Sequence, residues 1–320
     1  MVGIVANPAS GRDIRRLVAG ASVFGNPEKA GMVFRALAGL AAAGVDRALM
    51  MPASDGLSVT LHRLLAAHGD TPLPALAEVD MPLTGTAADT TRAVGAMVAA
   101  GARAILVLGG DGTHRVVAKA CGDVPICALS TGTNNAFPEM REATVAGLAT
   151  GLVAGGRVSA LRREPALEVE VDGVRDLALV DLAVSRERFA GARALWRPDS
   201  ISELFVTRAR PSAVGLSAIA GMLAPGATGV HVVLGEGPQV RVPLAPGLVA
   251  PIAVASHRRL ALGDAVDVAP SPGCLALDGE REIERRPDQG ASVRLVEGPF
   301  RIDVDAVMSQ FATHSQRLVE

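Results

Sequence analysis

Residues Ala104–Arg115 read AILVLGGDGTHR, and the fold turns on how this run ends. Ala104–Leu108 are apolar without alternation, the pattern of a strand buried on both faces in a parallel sheet covered by helices. Gly109, Gly110, Asp111, Gly112 and Thr113 follow at once. Asp-Gly suits a tight turn, which is one reading. The other is a polar site, because ligands of open α/β sheets bind beyond the carboxyl ends of the strands. Glycines there let a phosphate approach the backbone, and a helix starting at Thr113 would turn its N–H groups toward it.

The flanking sequence repeats the theme. Val2–Ala6, Asp46–Pro52, Ala75–Pro82 and Pro125–Ser130 read as strands. Pro27–Gly44, Leu57–Gly69, Thr86–Gly101 and Thr113–Cys121 read as helices, the first with Pro27 in its opening turn and Gly44 as its stop. Alternating strands and helices predict an α/β N-terminal domain with a Rossmann-like parallel sheet and helices on both faces. The texture then changes. Ala166–Val184 alternates apolar and polar residues around Asp172-Gly173, a hairpin signal, and short strands punctuated by Gly and Pro run on to about residue 299. A β-rich, sandwich-like C-terminal domain is expected, interrupted by one helical insert at Pro211–Leu223. The division falls at 1–140 for nucleotide binding and 141–299 for substrate binding and oligomerisation, with 300–320 packing back on the first domain. Thr144–Gly156 is expected as a helix leading away from the sheet.

Composition excludes several classes. The 320 residues are 49% hydrophobic and 20% charged, enough for a sizeable core. Aromatics are only 2%, with one Trp and no Tyr, so base stacking has little material. A net charge of −2 also argues against binding nucleic acid through its phosphates. Cys121, Cys127 and Cys274 form no CxxC pair and fit reduced thiols. The first residues lack a signal-peptide pattern, and no apolar run is long enough to span a membrane. A cytoplasmic protein is expected.

Two more polar turns follow apolar strands: Asn7–Gly11 (NPASG) and Ser130–Asn135 (STGTNN). Three such turns in one domain make a polar cleft the better reading. No GxxxxGK[ST] phosphate loop is present, and GGDGTH is not GxGxxG. A carboxylate beside phosphate-friendly backbone can instead accept the proton of an attacking hydroxyl, or help hold a metal ion on a triphosphate.

With its flanks NPASGRDIRRLVAGASVF, LTGTAADTTRAV and STGTNNAFPEM, GGDGT resembles the signature of the NAD kinase and diacylglycerol kinase superfamily. The resemblance is greatest to its ATP-NAD kinase-like branch typified by acetoin-catabolism protein X. It covers most of the first 140 residues and is weaker beyond them. It implies that Asp111 acts on the 2′-hydroxyl of the NAD adenosine ribose and that Gly109, Gly110, Gly112 and Thr113 cradle the ATP phosphates. Asn7, Ser10 and Gly11 match the first nucleotide-positioning turn. Thr131, Gly132, Thr133, Asn134 and Asn135 occupy the second polar motif. In lipid kinases that motif resembles GTGND, so Asn135 replaces an acid here, and the Asn-Glu pair of bacterial NAD kinases is not obvious.

Leu277–Glu280 reads LDGE. It resembles the catalytic DGE of lipid kinases, where NAD kinases tend to carry Gln at the third position. Glu280 is thus a second catalytic candidate and Asp278 a metal-ligand candidate, against the alternative of a plain β-turn. Arg115 is a candidate phosphate contact, Asp89 a weaker cleft candidate, and Arg285–Arg286 an ordinary surface pair. The resemblance implies ATP, Mg2+ or another divalent cation, and NAD as substrate. It also implies a homo-oligomer, dimer or tetramer, while composition and charge lead to the expectation of no nucleic acid and no membrane span. An ATP-dependent NAD kinase is the leading reading. A lipid or small-metabolite hydroxyl kinase stands beside it, as does an inactive nucleotide-binding regulator linked to acetoin catabolism.

Overall fold

The structure is a computed structural model that describes residues 1–8, 10, 24–53, 56–132, 135–187 and 198–316. Its first half runs β1 (Val2–Ala6), α1 (Asn26–Ala42), β2 (Arg47–Met50), α2 (Leu57–Ala67), β3 (Ala75–Glu78), α3 (Ala87–Ala99), β4 (Ile105–Gly109), α4 (Asp111–Ala118), β5 (Ile126–Ser130) and α5 (Ala143–Ala154). These five strands pair in parallel in the order β3-β2-β1-β4-β5. Every residue of β1, β4 and β5 is buried, as expected of unalternating apolar runs.

The two-residue period of a strand divides their side chains between two cores. Ile4, Ala6, Leu106 and Leu108 face α1, α2 and α5, whereas Val5, Ile105 and Val107 face α3 and α4. Each Leu, Ile or Val so buried contributes about 1.5–3 kcal/mol. The helix expected to lead away from the sheet does not do so. α5 packs on α1 through glycines, so closely that a Cβ on Gly39 would lie 2.1 Å from the Thr144 carbonyl oxygen and one on Gly147 2.1 Å from that of Ala36.

The second half runs β6 (Leu161–Val171), β7 (Val174–Ala178), β8 (Asp181–Ser185), β9 (Ile201–Arg208), α6 (Ser217–Leu223), β10 (Thr228–Ala245), β11 (Leu248–Arg259), β12 (Ala265–Val268), β13 (Gly273–Leu277), β14 (Glu280–Arg285), β15 (Ala291–Ile302) and α7 (Val304–Gln316). β15 extends the first sheet, parallel to β5 at Arg301 and Ile126 and antiparallel to β6. With β7 and β12 that sheet has nine strands. The remaining strands form a separate antiparallel sheet in the order β11-β10-β9-β8-β13-β14.

Leu167, Val169 and Val293 from the first sheet meet Leu182, Phe205 and Leu275 from the second, which is the expected sandwich. α6 covers the other face of the second sheet, and α7 lies against α5. Two-residue hairpins close β6–β7 at Asp172-Gly173 and β13–β14 at Asp278-Gly279. All four turn residues have positive φ, the form that Asp-Gly favours. Cys121, Cys127 and Cys274 are buried and form no disulfide among the described residues. No described helix is long and apolar enough to cross a membrane.

Candidate active site

The three polar turns converge because β1, β4 and β5 are neighbours and all end on the same side. The Asn7 side-chain amide donates to the Thr113 hydroxyl (3.0 Å), the hydroxyls of Ser10 and Thr131 are 3.1 Å apart, and Thr131 N donates to the Gly109 carbonyl (3.3 Å). Lys29, from the first turns of α1, is 1% exposed. Its ammonium donates to the carbonyls of Asn7 (3.0 Å), Pro8 (3.1 Å) and Ser10 (2.8 Å), which offsets the penalty of burying it. Gly109 is required by contact, since a Cβ there would fall 2.5 Å from Thr113 Cβ.

The helix after the signature begins at Asp111 rather than Thr113, with Gly110 as its N-cap. Asp111 thus stands in the first turn, where the aligned peptide dipoles favour a negative charge. Both its carboxylate oxygens accept from Ala136 N (3.1 Å each), and one also accepts from Phe137 N (2.8 Å). The carbonyls of the same two residues accept from Arg210 (3.5 Å) and Arg301 (3.1 Å). Asn135 steadies the turn through Ser130 Oγ (2.7 Å). His114, one turn into α4, sets Nδ1 2.9 Å from the Gly110 carbonyl oxygen. Burial, with the Arg301 charge nearby, pushes its pKa down to about 4.

The second sheet supplies the opposite wall. The hairpin Asp278-Gly279 brings the Glu280 carboxylate to 3.7 Å from where a Cβ on Gly112 would lie. Asp278 is buried and turns its oxygens to backbone N–H groups of Leu179 (3.1 Å), Val180 (2.8 Å) and Asp181 (3.2 Å). Burial, then the carboxylates of Asp181 and Asp111, push its pKa up to about 8. Arg115 faces Asp278 at 3.9 Å and pairs with Glu282 (2.6 Å) and Asp176 (3.4 Å).

Two expectations change accordingly. Asp278 is not presented as a metal ligand, because its oxygens hold the β7–β8 connection. Among the described residues no group of three or more His, Cys, Asp or Glu side chains could hold a metal ion. Arg115, read as a phosphate contact, is 4% exposed and committed to carboxylates that join α4 to both sheets, Asp176 on β7 and Glu282 on β14.

Comparison with known proteins agrees with this layout. Residues 2–158 match the ATP-NAD kinase N-terminal domain family, and residues 165–298 match the acetoin catabolism protein X C-terminal domain family. Over 333 aligned positions the chain is 47% identical to acetoin catabolism protein X of Cupriavidus necator, covering 98% of this chain and 93% of that protein. The chain belongs to the acetoin catabolism protein X family. That family is a branch of the NAD kinase and diacylglycerol kinase superfamily. A putative diacylglycerol kinase from Bacillus anthracis str. Sterne shares the fold, with a TM-score of 0.50 and 12% identity over 94% of this chain and 96% of that one.

Within this family fold, Asn7, Ser10, Gly109, Gly110, Asp111, Gly112, Thr113, Thr131, Gly132 and Asn135 lie on the converging turns, and Glu280 lies across from Gly112. Gly11, Thr133 and Asn134 fall outside the described residues. Asp89 accepts from Thr84 N and Gly85 N and pairs with Arg92, fastening the loop before α3. Arg285, expected on the surface, is 2% exposed and donates to the carbonyls of Ala269 and Gln289. Sequence reading missed Lys29 and Arg301. Lys29 was detectable, because it lies on the stripe of α1 that carries Val33, Ala36, Leu37 and Leu40.

Proposed function

We propose that this chain is an ATP-dependent phosphotransferase whose acceptor is a hydroxyl of a small molecule, with Asp111 facing that hydroxyl. One arrangement carries the reading: a first-turn aspartate, fixed by the N–H groups of Ala136 and Phe137, where the turns after β1, β4 and β5 meet. Nucleotide phosphate would lie against the first turn of α4, where N–H groups and dipole favour an anion. Phosphoryl transfer asks for positioning and electrostatics more than covalent help from the protein. Asp111 would take the hydroxyl proton as the acceptor oxygen bonds to the γ-phosphorus and the bond to the ADP oxygen breaks. Mg2+ would arrive on the nucleotide's phosphates, as it commonly does.

NAD is the acceptor favoured by the match of residues 2–158 to the ATP-NAD kinase N-terminal domain family. The Asp278-Gly279-Glu280 turn, which resembles the lipid-kinase form, favours another hydroxyl and is the reason for the broader class. Incubation with ATP, Mg2+ and a panel of NAD and small polyols, read as ADP formation and phosphorylated product, tests both. NADP would select the NAD reading, and another product the small-metabolite reading. ATP binding without transfer to any acceptor would overturn the phosphotransferase and leave a nucleotide-binding regulator.

A further inference from the structure

The polar turns carry a chain of hydrogen bonds that runs in one direction. It starts at Lys29, which is 1% exposed and can only donate. Its ammonium donates to the carbonyls of Asn7 (3.0 Å), Pro8 (3.1 Å) and Ser10 (2.8 Å). The Ser10 hydroxyl also donates to the Asn7 carbonyl (2.9 Å), so the proton between Ser10 and Thr131 comes from Thr131. With its backbone held in this way, Asn7 turns its side-chain amide onto the Thr113 hydroxyl (3.0 Å). The Thr113 oxygen accepts there, which leaves its own proton to be donated. Thr113 is 7% exposed and stands in the first turn of α4, two residues after Asp111. Among the described residues nothing accepts that proton.

Lys29 occupies its position against two ordinary preferences. A cation in the first turn of a helix opposes the helix dipole, and α1 begins at Asn26. A buried ammonium also costs more than the methionine or leucine that would continue the apolar stripe of Val33, Ala36 and Leu37. What an apolar side chain would not supply is a set of donors for three carbonyls. We propose that Lys29 is a positioning residue for nucleotide phosphate: it orients the turn after β1 so that Asn7 directs the Thr113 proton at a phosphate oxygen. A phosphate against the first turn of α4 supplies the missing acceptor, and its charge strengthens the bond. Lys29 need not touch the phosphate, because it acts through Asn7. The proposal rests on the nucleotide-binding part of the reading above and not on transfer.

Calorimetric titration of the full chain with ATP and Mg2+ tests this in a double-mutant cycle. Lys29→Gln should weaken ATP by about tenfold, and Thr113→Val, which exchanges the hydroxyl for a methyl group, by a similar factor. The two together should still weaken it by about tenfold rather than a hundredfold, because both break one chain. Separate effects, such as a general loosening of the fold by Lys29→Gln, would multiply instead. Asn7→Ala breaks the chain without removing the buried ammonium and should couple to Thr113→Val in the same way, so the test survives a Lys29→Gln protein that does not fold. Unchanged ATP affinity in any of the single variants, or factors that multiply, would overturn the proposal. A parent protein that does not bind ATP would remove both this inference and the nucleotide reading. Coupled ATP binding without phosphoryl transfer to any acceptor would keep Lys29 in this role and remove the phosphotransferase.

Discussion

The molecule uses one hairpin twice. Asp172-Gly173 and Asp278-Gly279 share a two-residue turn with positive φ at both positions and the same antiparallel context. Asp172 leaves its side chain 57% exposed and pairs loosely with Arg286 at 3.5 Å. Asp278 is buried, gathers three backbone N–H groups and faces Arg115 across the interface with α4. The backbone requirement is the same; the surroundings assign the work. An Asp-Gly turn becomes part of a site only when the fold brings a second element against it, here the helix that follows GGDGT.

The widest separation between the turns should come from the buried charge network. Arg115→Met leaves Asp278 and Glu282 without their cation, and Asp176 with Lys119 alone, and should cost about 3–5 kcal/mol in urea unfolding. His114 comes next. Its folded pKa of about 4 lies below the ordinary 6.5, so the native state binds fewer protons in that interval. The stability it contributes is complete above pH 6.5 and declines by about 3 kcal/mol as pH falls to 4. Thermal melts of His114→Gln across that range should run flatter than those of the parent protein. Lys29→Met orphans the carbonyls of Asn7, Pro8 and Ser10 and should cost about 1–3 kcal/mol. Asp172→Asn, in the exposed turn, should change stability by less than about 0.5 kcal/mol. A cost for Asp172→Asn equal to that of Arg115→Met would erase the distinction between the turns.

Legibility followed the length scale of the cause. β1, β4 and β5 were readable because strands buried on both faces are locally apolar throughout. GGDGT was readable because close backbone contact demands glycine, as Gly109 against Thr113 demonstrates. The Asp172-Gly173 hairpin was readable from alternation and turn chemistry. Arg115 was not, because its partners Asp176 and Glu282 lie 61 and 167 residues away. The direction of α5 was hidden likewise, since Gly39 and Gly147 reveal a helix contact only together. The addition of β15 to the parallel strands rests on the single register pair Arg301 and Ile126, for which the strand sequence carries no mark.

The central claim is that Asp111 faces the hydroxyl that receives phosphate, and Asp111→Asn addresses it directly. Asparagine keeps the side-chain oxygen that accepts from Phe137 N, so the turn should hold and the melting temperature should stay near that of the parent. With ATP, Mg2+ and the acceptor that supports turnover, the variant should lose about 10²–10⁴-fold in the rate of phosphoryl transfer. A folded Asp111→Asn protein that transfers phosphate at the parent rate would contradict the account.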